Sequence, residues 1–378
     1  MENKLKDYLC IVIAMEHYNP LGQLRTLGEN GIRPVFIAIN HRVRVASASK
    51  YPQKCHLVEN EEEAFKVLME NYGDVVEKTG KKPFLLFSDD KTVGFYDERY
   101  EDLKDKFTFF NAGVNNGITK YMDKFEILEC AKRHGVQVLP AVVVDCGTVP
   151  AGIEYPVITK AISPNSGAWK GDVNICYSEE ELKDAFTRIK SPQVLIQKFI
   201  DKKTEMTLEG FCVDKGREMF VGTQCFYQYP IKGYYSPFHT NQPFKDEELK
   251  RKLTAMTTEI GFEGIFEIEF LVDKDDNFYF GEINFRNSTW SYSSTVAGNP
   301  LPYLWCLAMM DKKAPVANDF DLFTSMVEPI DYGKRVEEGR CSFGEWLKDF
   351  KEAKCTYYYN KEDIEPWNLV CENWDKLK

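Results

Sequence analysis

The sequence predicts an α/β fold, with a parallel sheet and crossover helices in the first third and a mixed α+β region after it. Three observations carry this expectation. Short apolar runs at 8–15, 35–39 and 83–87 alternate with amphipathic stretches at 21–30 and 62–76, the pattern of buried parallel strands joined by helices. From residue 206 onward, hairpin-like alternation takes over. The 378 residues, 43% hydrophobic and 28% charged, suffice for two or three packed domains and exclude wholesale disorder.

The run 8–15 has the length of a short signal core, but Asp7 abuts it and Glu16-His17-Tyr18-Asn19-Pro20 follows, so it reads as a buried first strand. Leu21, Leu24 and Leu27 give 21–30 helical spacing, with a stop at Gly31. The strand at 83–87 ends at Ser88-Asp89-Asp90. Ligands of such sheets sit at the carboxyl ends of strands, which singles out the loops 16–21 and 88–91. The Gly- and Asn-rich stretch 111–119 marks a boundary. A helix follows with Tyr121, Phe125, Leu128 and Ala131 on one face, Asp123 and Glu126 at capping-box spacing, and Gly135 as its stop. Next come strands at 136–139 and 157–161, a small-residue loop at 163–171, a helix at 178–189 and a strand at 194–200. A hairpin region at 206–229, a helix at 246–260 and paired strands at 265–285 complete the central part, and the tail after Met326 is acidic and aromatic.

Lys and Arg number 48 against 59 Asp and Glu, a net charge of −11 with no basic stretch, which argues against nucleic acid or an anionic membrane as the main partner. No run reaches the roughly 18 apolar residues of a spanning helix. The 11 cysteines are scattered and never spaced C-x-x-C, the pattern of reduced thiols, so a cytoplasmic location is expected.

The stretch 264–286 carries the chemistry. It reads as two strands joined by a turn at 274–277. Period-two alternation puts Phe266, Ile268, Phe270 and Val272 on one face and Glu267 and Glu269 on the other. On the second strand the same rule groups Phe280, Glu282, Asn284 and Arg286. Carboxylates projecting from an otherwise apolar ribbon need cations, unless the face is simply solvated. Hard oxygen donors suit Mg²⁺ bound together with phosphates, and Arg286 could neutralise a transferring phosphoryl group. Lys160 ends a strand before the loop 163–171, whose backbone could turn N–H groups toward an anion. Lys124 opens a helix, where the dipole disfavours a cation and a bound phosphate would offset it. Taken singly, either lysine reads as an ordinary solvated side chain. No Walker A motif is present.

In this order the features resemble the ATP-grasp superfamily over about 120–308, with a pre-ATP-grasp, Rossmann-like domain ahead of it. The resemblance divides the chain into 1–118 (pre-ATP-grasp), 119–200 (central part and lid), 201–312 (catalytic subdomain) and 313–378 (C-terminal extension). It implies that Lys124 (in Asp123-Lys124) and Lys160 contact ATP phosphates. It also implies that Gln197, Phe199 and Ile200 form the hinge at the adenine and that Glu205 binds the ribose hydroxyls. Glu269, Glu282 and Asn284 would be the metal ligands. Glu282-Ile-Asn284-Phe-Arg286 and the interval of 13 between the acids (282 − 269) are the most specific signs. Arg286 would hold the acyl phosphate or γ-phosphate, and Lys170 with Trp169 would sit on a mobile lid. Departures are the glycine-poor loop at 169–170, Gln197 where an acid is common, and Phe285 in place of proline. The segment Asn19-Pro-Leu-Gly-Gln-Leu-Arg25 is similar to the first turn of the D-aspartate ligase-like carboxylate–amine ligases.

The resemblance implies an ATP-dependent ligase that activates a carboxylate, of an amino acid or peptide, as an acyl phosphate and couples it to an amine. Its cofactors would be ATP and Mg²⁺, with Mn²⁺ as a substitute, and its partners small-molecule carboxylate and amine substrates. A homodimer stays open. Catalytic roles fall to Arg286, Lys160 and Lys170, and weaker substrate candidates are Asn19, Arg25, Asp89, Asp90 and His239. Two rivals stand beside it: an enzyme activating bicarbonate or a carbamoyl-type substrate, and a nucleotide-binding sensor without chemistry. An NAD-binding first domain is disfavoured, because Gly22, Gly28 and Gly31 do not make G-x-G-x-x-G.

Overall fold

The computed structural model describes residues 4–40, 43–162, 172–229, 231 and 236–374. The first sheet is parallel, in the order β3-β2-β1-β4, built from β1 (Cys10–Met15), β2 (Val35–Ile39), β3 (Lys54–Val58) and β4 (Phe84–Phe87). The edge strand β3 escapes a hydropathy reading because it is largely exposed and opens with Lys54. The first helix runs Tyr18–Glu29, earlier than expected, since Pro20 is tolerated in its first turn. The chain leaves it through Gly31 at φ 79°, a left-handed conformation that favours glycine. The expected stretch 62–76 forms the helix Glu61–Tyr72, capped by Asn60.

A second, antiparallel sheet has the order β5-β8-β6-β7: β5 (Ala141–Asp145), β6 (Val157–Lys160), β7 (Asn174–Cys176) and β8 (Gln193–Lys198). The helix Glu179–Phe186 covers it, and Leu182, Ala185, Val157, Val194 and Ile196 form a core separate from the main one. Two expectations shift here. The run 136–139 is not a strand: Val136 and Leu139 are buried, Val138 makes one isolated bridge to Phe280, and the strand begins only after Pro140, which lacks a ladder donor. Strand β8 stops at Lys198, two residues short of the expected end.

The third sheet has seven strands in the order β13-β12-β9-β10-β11-β14-β15. They are β9 (Thr204–Val213), β10 (Glu218–Tyr227), β11 (Phe238–Gln242), β12 (Gly264–Val272), β13 (Phe278–Asn284), β14 (Phe323–Met326) and β15 (Cys355–Thr356). All neighbours are antiparallel except β14 and β15. The tail is therefore not a mere appendage, since two of its strands extend this sheet. Its turn at Tyr357–Tyr359 is clamped from both sides. The Glu328 carboxylate accepts from the three backbone N–H groups, and Arg25 donates to the carbonyls of Tyr357 and Tyr358 at 3.0 and 2.8 Å. One apolar core joins the first and third sheets. The helix Leu301–Asp311, apolar on nearly every face, lies in it with Trp305 edge-on to Phe84 and Phe110. Among the described residues, no helix is long and apolar enough to cross a membrane.

Candidate functional site

The paired strands β12 and β13 meet in the register Glu267–Asn284 and Glu269–Glu282, so these four side chains share one face of the sheet. A bulge next to Glu269 makes Phe280, rather than Gly281, the partner of Phe270. This corrects the strict alternation expected on the second strand. Phe280 belongs to the apolar face, with its ring 5.9 Å from that of Phe270, while Glu282 stays with the acids. The extra residue is Gly281; a single inserted position reverses the facing of everything beyond it.

The Asn284 amide donates to Glu267 Oε2 at 3.0 Å and to Glu269 Oε1 at 2.9 Å. Lys124 reaches across from the start of the helix Lys124–Arg133 to pair with Glu282. The cation expected to need a phosphate at that helix end is thus already balanced by a carboxylate. Lys160 Nζ, at the end of β6, donates to Gln197 Oε1 on β8 at 2.9 Å. Arg286 donates from Nε to Asp90 Oδ1 at 3.0 Å, and its Nη1 lies 3.7 Å from Glu267 Oε2. All three sheets thus contribute to one cluster. The lysines come from the helix Lys124–Arg133 and the small sheet, the acids from the large sheet, Arg286 from just past β13, and Asp90 from the start of the helix that follows β4.

Charge in this cluster is strongly perturbed. Burial, Glu282 and Glu267 hold the Glu269 carboxyl far above its ordinary range. Burial and Glu209 push Glu267 up to about 8. Glu282 is depressed by the Lys124 ammonium beside it. Burial works against the Lys124 charge, but Glu282 and Glu269 outweigh it and raise its pKa. Burial and the neighbouring Lys124 lower Lys160 to about 8. Acids that resist ionisation for want of positive charge, together with an amide oxygen, make a hard donor set that a divalent cation would stabilise in ionised form. The residues present fit Mg²⁺.

The Lys160 shift gives a pH dependence with a definite sign. Its charge is present below about pH 8 and is lost above it, well before an ordinary lysine would titrate. If Lys160 holds phosphate, kcat/KM for MgATP falls as pH rises through about 8, the free-enzyme value. Lys160→Met should lower kcat/KM and remove that limb; a wild-type profile flat up to pH 9.5 would rule out the role.

The other expected residues are placed variously. Gln197 is buried and engaged with Lys160, and Phe199 and Ile200 follow the end of β8, with Phe199 N bonded to Pro156 O at 2.9 Å. Glu205 pairs with Lys202. Lys170 and Trp169, with the rest of the loop 163–171, lie outside the described residues. Asn19 accepts from Thr289 Oγ1 at 3.0 Å, just past Arg286. Asp89 caps the helix Asp90–Asp97, accepting from Thr92 N at 2.8 Å. Two expectations are corrected. Arg25 is wholly enclosed and paired with Asp363 at 2.9 Å, so it fastens the tail rather than facing a substrate. His239, also a substrate candidate, lies on β11, enclosed by Trp290 and Tyr357, with Nε2 3.2 Å from Tyr357 Oη; burial lowers it to about 3 and keeps it neutral.

Sequence reasoning passed over Glu209, His17 and Asn287. Glu209 stands directly across from Glu267 on β9. His17 follows β1 as an exposed residue, with its ring 3.8 Å from that of Tyr18. Only the pairing of β9 with β12 brings Glu209 here, and no local spacing announces it. The position of Asn287, directly after Arg286, was the one available signal.

The sequence model of the family described as "Carbamoyl-phosphate synthase L chain, ATP binding domain" matches residues 123–305. The propionyl-CoA carboxylase alpha chain of Ruegeria pomeroyi is 26% identical over 147 residues, 35% of this chain but only 21% of that protein's length. Among solved structures, the N5-carboxyaminoimidazole synthetase of Staphylococcus aureus superposes with a TM-score of 0.68 at 15% identity, covering 89% of this chain and 87% of that one. The L-amino acid ligase of Bacillus licheniformis does so with 0.62 at 13% identity, covering 84% and 79%.

Proposed function

This chain belongs to the ATP-grasp superfamily, and from that premise we propose that it is an ATP-dependent ligase joining a carboxylate to an amine. One observation carries the reading: Glu269, Glu282 and Asn284 converge with Lys124, Lys160 and Arg286, although their elements come from separate sheets. In the first step a carboxylate oxygen bonds to the γ-phosphorus of ATP and the bond to the bridging oxygen breaks, releasing ADP. In the second, an amine nitrogen attacks the acyl carbon, phosphate leaves with the electron pair, and the nitrogen loses a proton.

Lys124 and Lys160 neutralise the triphosphate from one side, and Arg286 balances charge on the transferred phosphoryl group from the other. Glu269, Glu282 and Asn284 would hold Mg²⁺, which when bound supplies further neutralisation of phosphate charge. The partners are small-molecule carboxylates and amines.

The likeness to a carboxylase chain favours a second reading, in which bicarbonate is the species activated. ADP release assayed with MgATP separates the two. The ligase reading expects release only when an organic carboxylate is present, with product yield rising on addition of an amine. Release stimulated by bicarbonate alone would transfer the assignment to the second reading. Stabilisation by ATP with no ADP under any mixture would leave a sensor.

A further inference from the structure

Away from the charged cluster, the far end of the helix Lys124–Arg133 brings together a thiol, an imidazole and a carboxylate. Cys130 and His134, which closes the helix, stand about one helical turn apart, so both side chains leave the same face. The helix packs against the helix Glu247–Ile260, whose last turn supplies Glu259. One donor atom from each of the three lies within 4.8 Å of the other two, and His134 Nε2 is 2.7 Å from Glu259 Oε2. Cys130 is wholly enclosed, whereas the side chains of His134 and Glu259 are 24% and 31% exposed, so the group is buried at the thiol and open to solvent on the other side. No local spacing announces it, because the acid comes from a helix 125 positions beyond the histidine.

Surface electrostatics accounts for only part of this arrangement. Hydrogen bonds from Arg133 and His134 hold the Glu259 carboxyl down at about 2, so it carries its charge at neutral pH. An exposed pair of this kind needs no thiol beside it. Yet burial and Glu259 push the Cys130 thiol up to about 12, so without a metal it faces the carboxylate protonated. A sulfur, an imidazole nitrogen and a carboxylate oxygen together make a donor set for Zn²⁺, whereas Mg²⁺ and Ca²⁺ take oxygen. Tetrahedral Zn²⁺ keeps such donors at about 2.0–2.3 Å, hence about 3.3–3.7 Å from one another, a spacing that small side-chain rotations reach from the present one. Arg133 bonds chiefly to Glu259 Oε1, its Nε being 3.5 Å from Oε2. Oε2 can therefore turn to an ion while the guanidinium orients the carboxylate from outside.

We propose that Cys130, His134 and Glu259 bind Zn²⁺, with water from the open side as the fourth donor. Binding exchanges the thiol proton for the metal: the S–H bond breaks, its electron pair goes to the ion and the proton to solvent. The ion takes the place of the contact between His134 and Glu259. It pins the end of the helix Lys124–Arg133 to the helix Glu247–Ile260, and so fixes the element whose first residue, Lys124, pairs with Glu282. The site is separate from the oxygen donors at Glu269, Glu282 and Asn284 and does not depend on the ligase reading.

The test titrates the full chain, reduced and freed of metal by a chelator, with Zn²⁺ and with Co²⁺ as its spectroscopic stand-in. Co²⁺ should give a thiolate-to-metal charge-transfer absorption and the intense visible bands of a tetrahedral site, and Zn²⁺ should bleach both. Excess Mg²⁺ should leave them unchanged, since it prefers oxygen donors. Cys130→Ser should abolish the charge-transfer absorption, and His134→Gln or Glu259→Gln should weaken Zn²⁺ binding about a hundred-fold or more. Zn²⁺ should raise the melting temperature of the wild type and leave that of the variants in place. His134 and Glu259 are partly exposed, so their variants keep the test decisive if Cys130→Ser unfolds. Absence of the absorption in the wild type overturns the proposal. So does its survival in Cys130→Ser, which would assign it to another of the 11 cysteines. Zn²⁺ affinity within about three-fold of wild type in both His134→Gln and Glu259→Gln overturns it as well. None of these outcomes touches the ligase reading, which ADP release decides.

Discussion

Glu282→Ala is expected to lower ADP release by at least about a thousand-fold, the scale of several kcal/mol of lost charge stabilisation at a metal-assisted phosphoryl transfer. Glu282 holds two positions in the cluster. It lies across from Glu269 as one of the proposed metal donors, and it is the carboxylate paired with Lys124. Its removal therefore strips a donor and frees a lysine that would otherwise be neutralised. Loss of one partner from a largely enclosed pair can cost up to about 3 kcal/mol in stability, so thermal melting must accompany the assay. Glu282→Gln supplies the control. It preserves size and an oxygen acceptor for Lys124 while removing the charge, and it should lose nearly as much turnover with a smaller fall in melting temperature. Raising Mg²⁺ should recover part of the lost rate in Glu282→Gln but little in Glu282→Ala. Normal turnover in Glu282→Ala would end the metal assignment.

Arg286→Met should lower kcat by about a hundred- to a thousand-fold while KM for MgATP changes by less than about ten-fold. The reason lies in how the guanidinium is held. Asp90 takes Nε, Glu267 lies beside Nη1, and among the described residues Nη2 makes no hydrogen bond. Fixed on two sides, the third corner of the fork is available to a phosphoryl or acyl oxygen without further ordering. Arg286→Lys keeps a positive charge but cannot span Asp90 and Glu267 together with a third oxygen, so it should recover only part of the rate. Equal losses in kcat and in ATP affinity would mean that Arg286 binds nucleotide rather than the transferred group.

The Asp90 contact ties the end of the first sheet to the proposed site. The 88–91 loop was singled out because strand ends of parallel sheets collect ligands. In the structure Asp90 meets Arg286, which lies just past β13 of the third sheet. Residues 16–21 arrive at the same place, with Asn19 accepting from Thr289 just past Arg286.

The parallel first sheet was legible because buried strands show as unbroken apolar runs. Glu269, Glu282 and Asn284 were legible because hairpin strands are consecutive and alternate with period two. Lys124 and Lys160 stood out at element ends, where a charge needs a reason. These signals are local, spanning a strand, a turn or a helix terminus. What only the tertiary structure decided depends on which distant segments lie side by side. Strand β3 hides because an edge strand need not be apolar. The bulge at Gly281, which moves Phe280 off the acid face, is settled by packing against Phe270. Glu209 enters the cluster only through the pairing of β9 with β12. Arg25, a substrate candidate in the sequence, is a buried fastener, because its partner Asp363 lies near the far end of the chain. Periodicity within a segment records which face is buried, but it carries no information about what that face will meet.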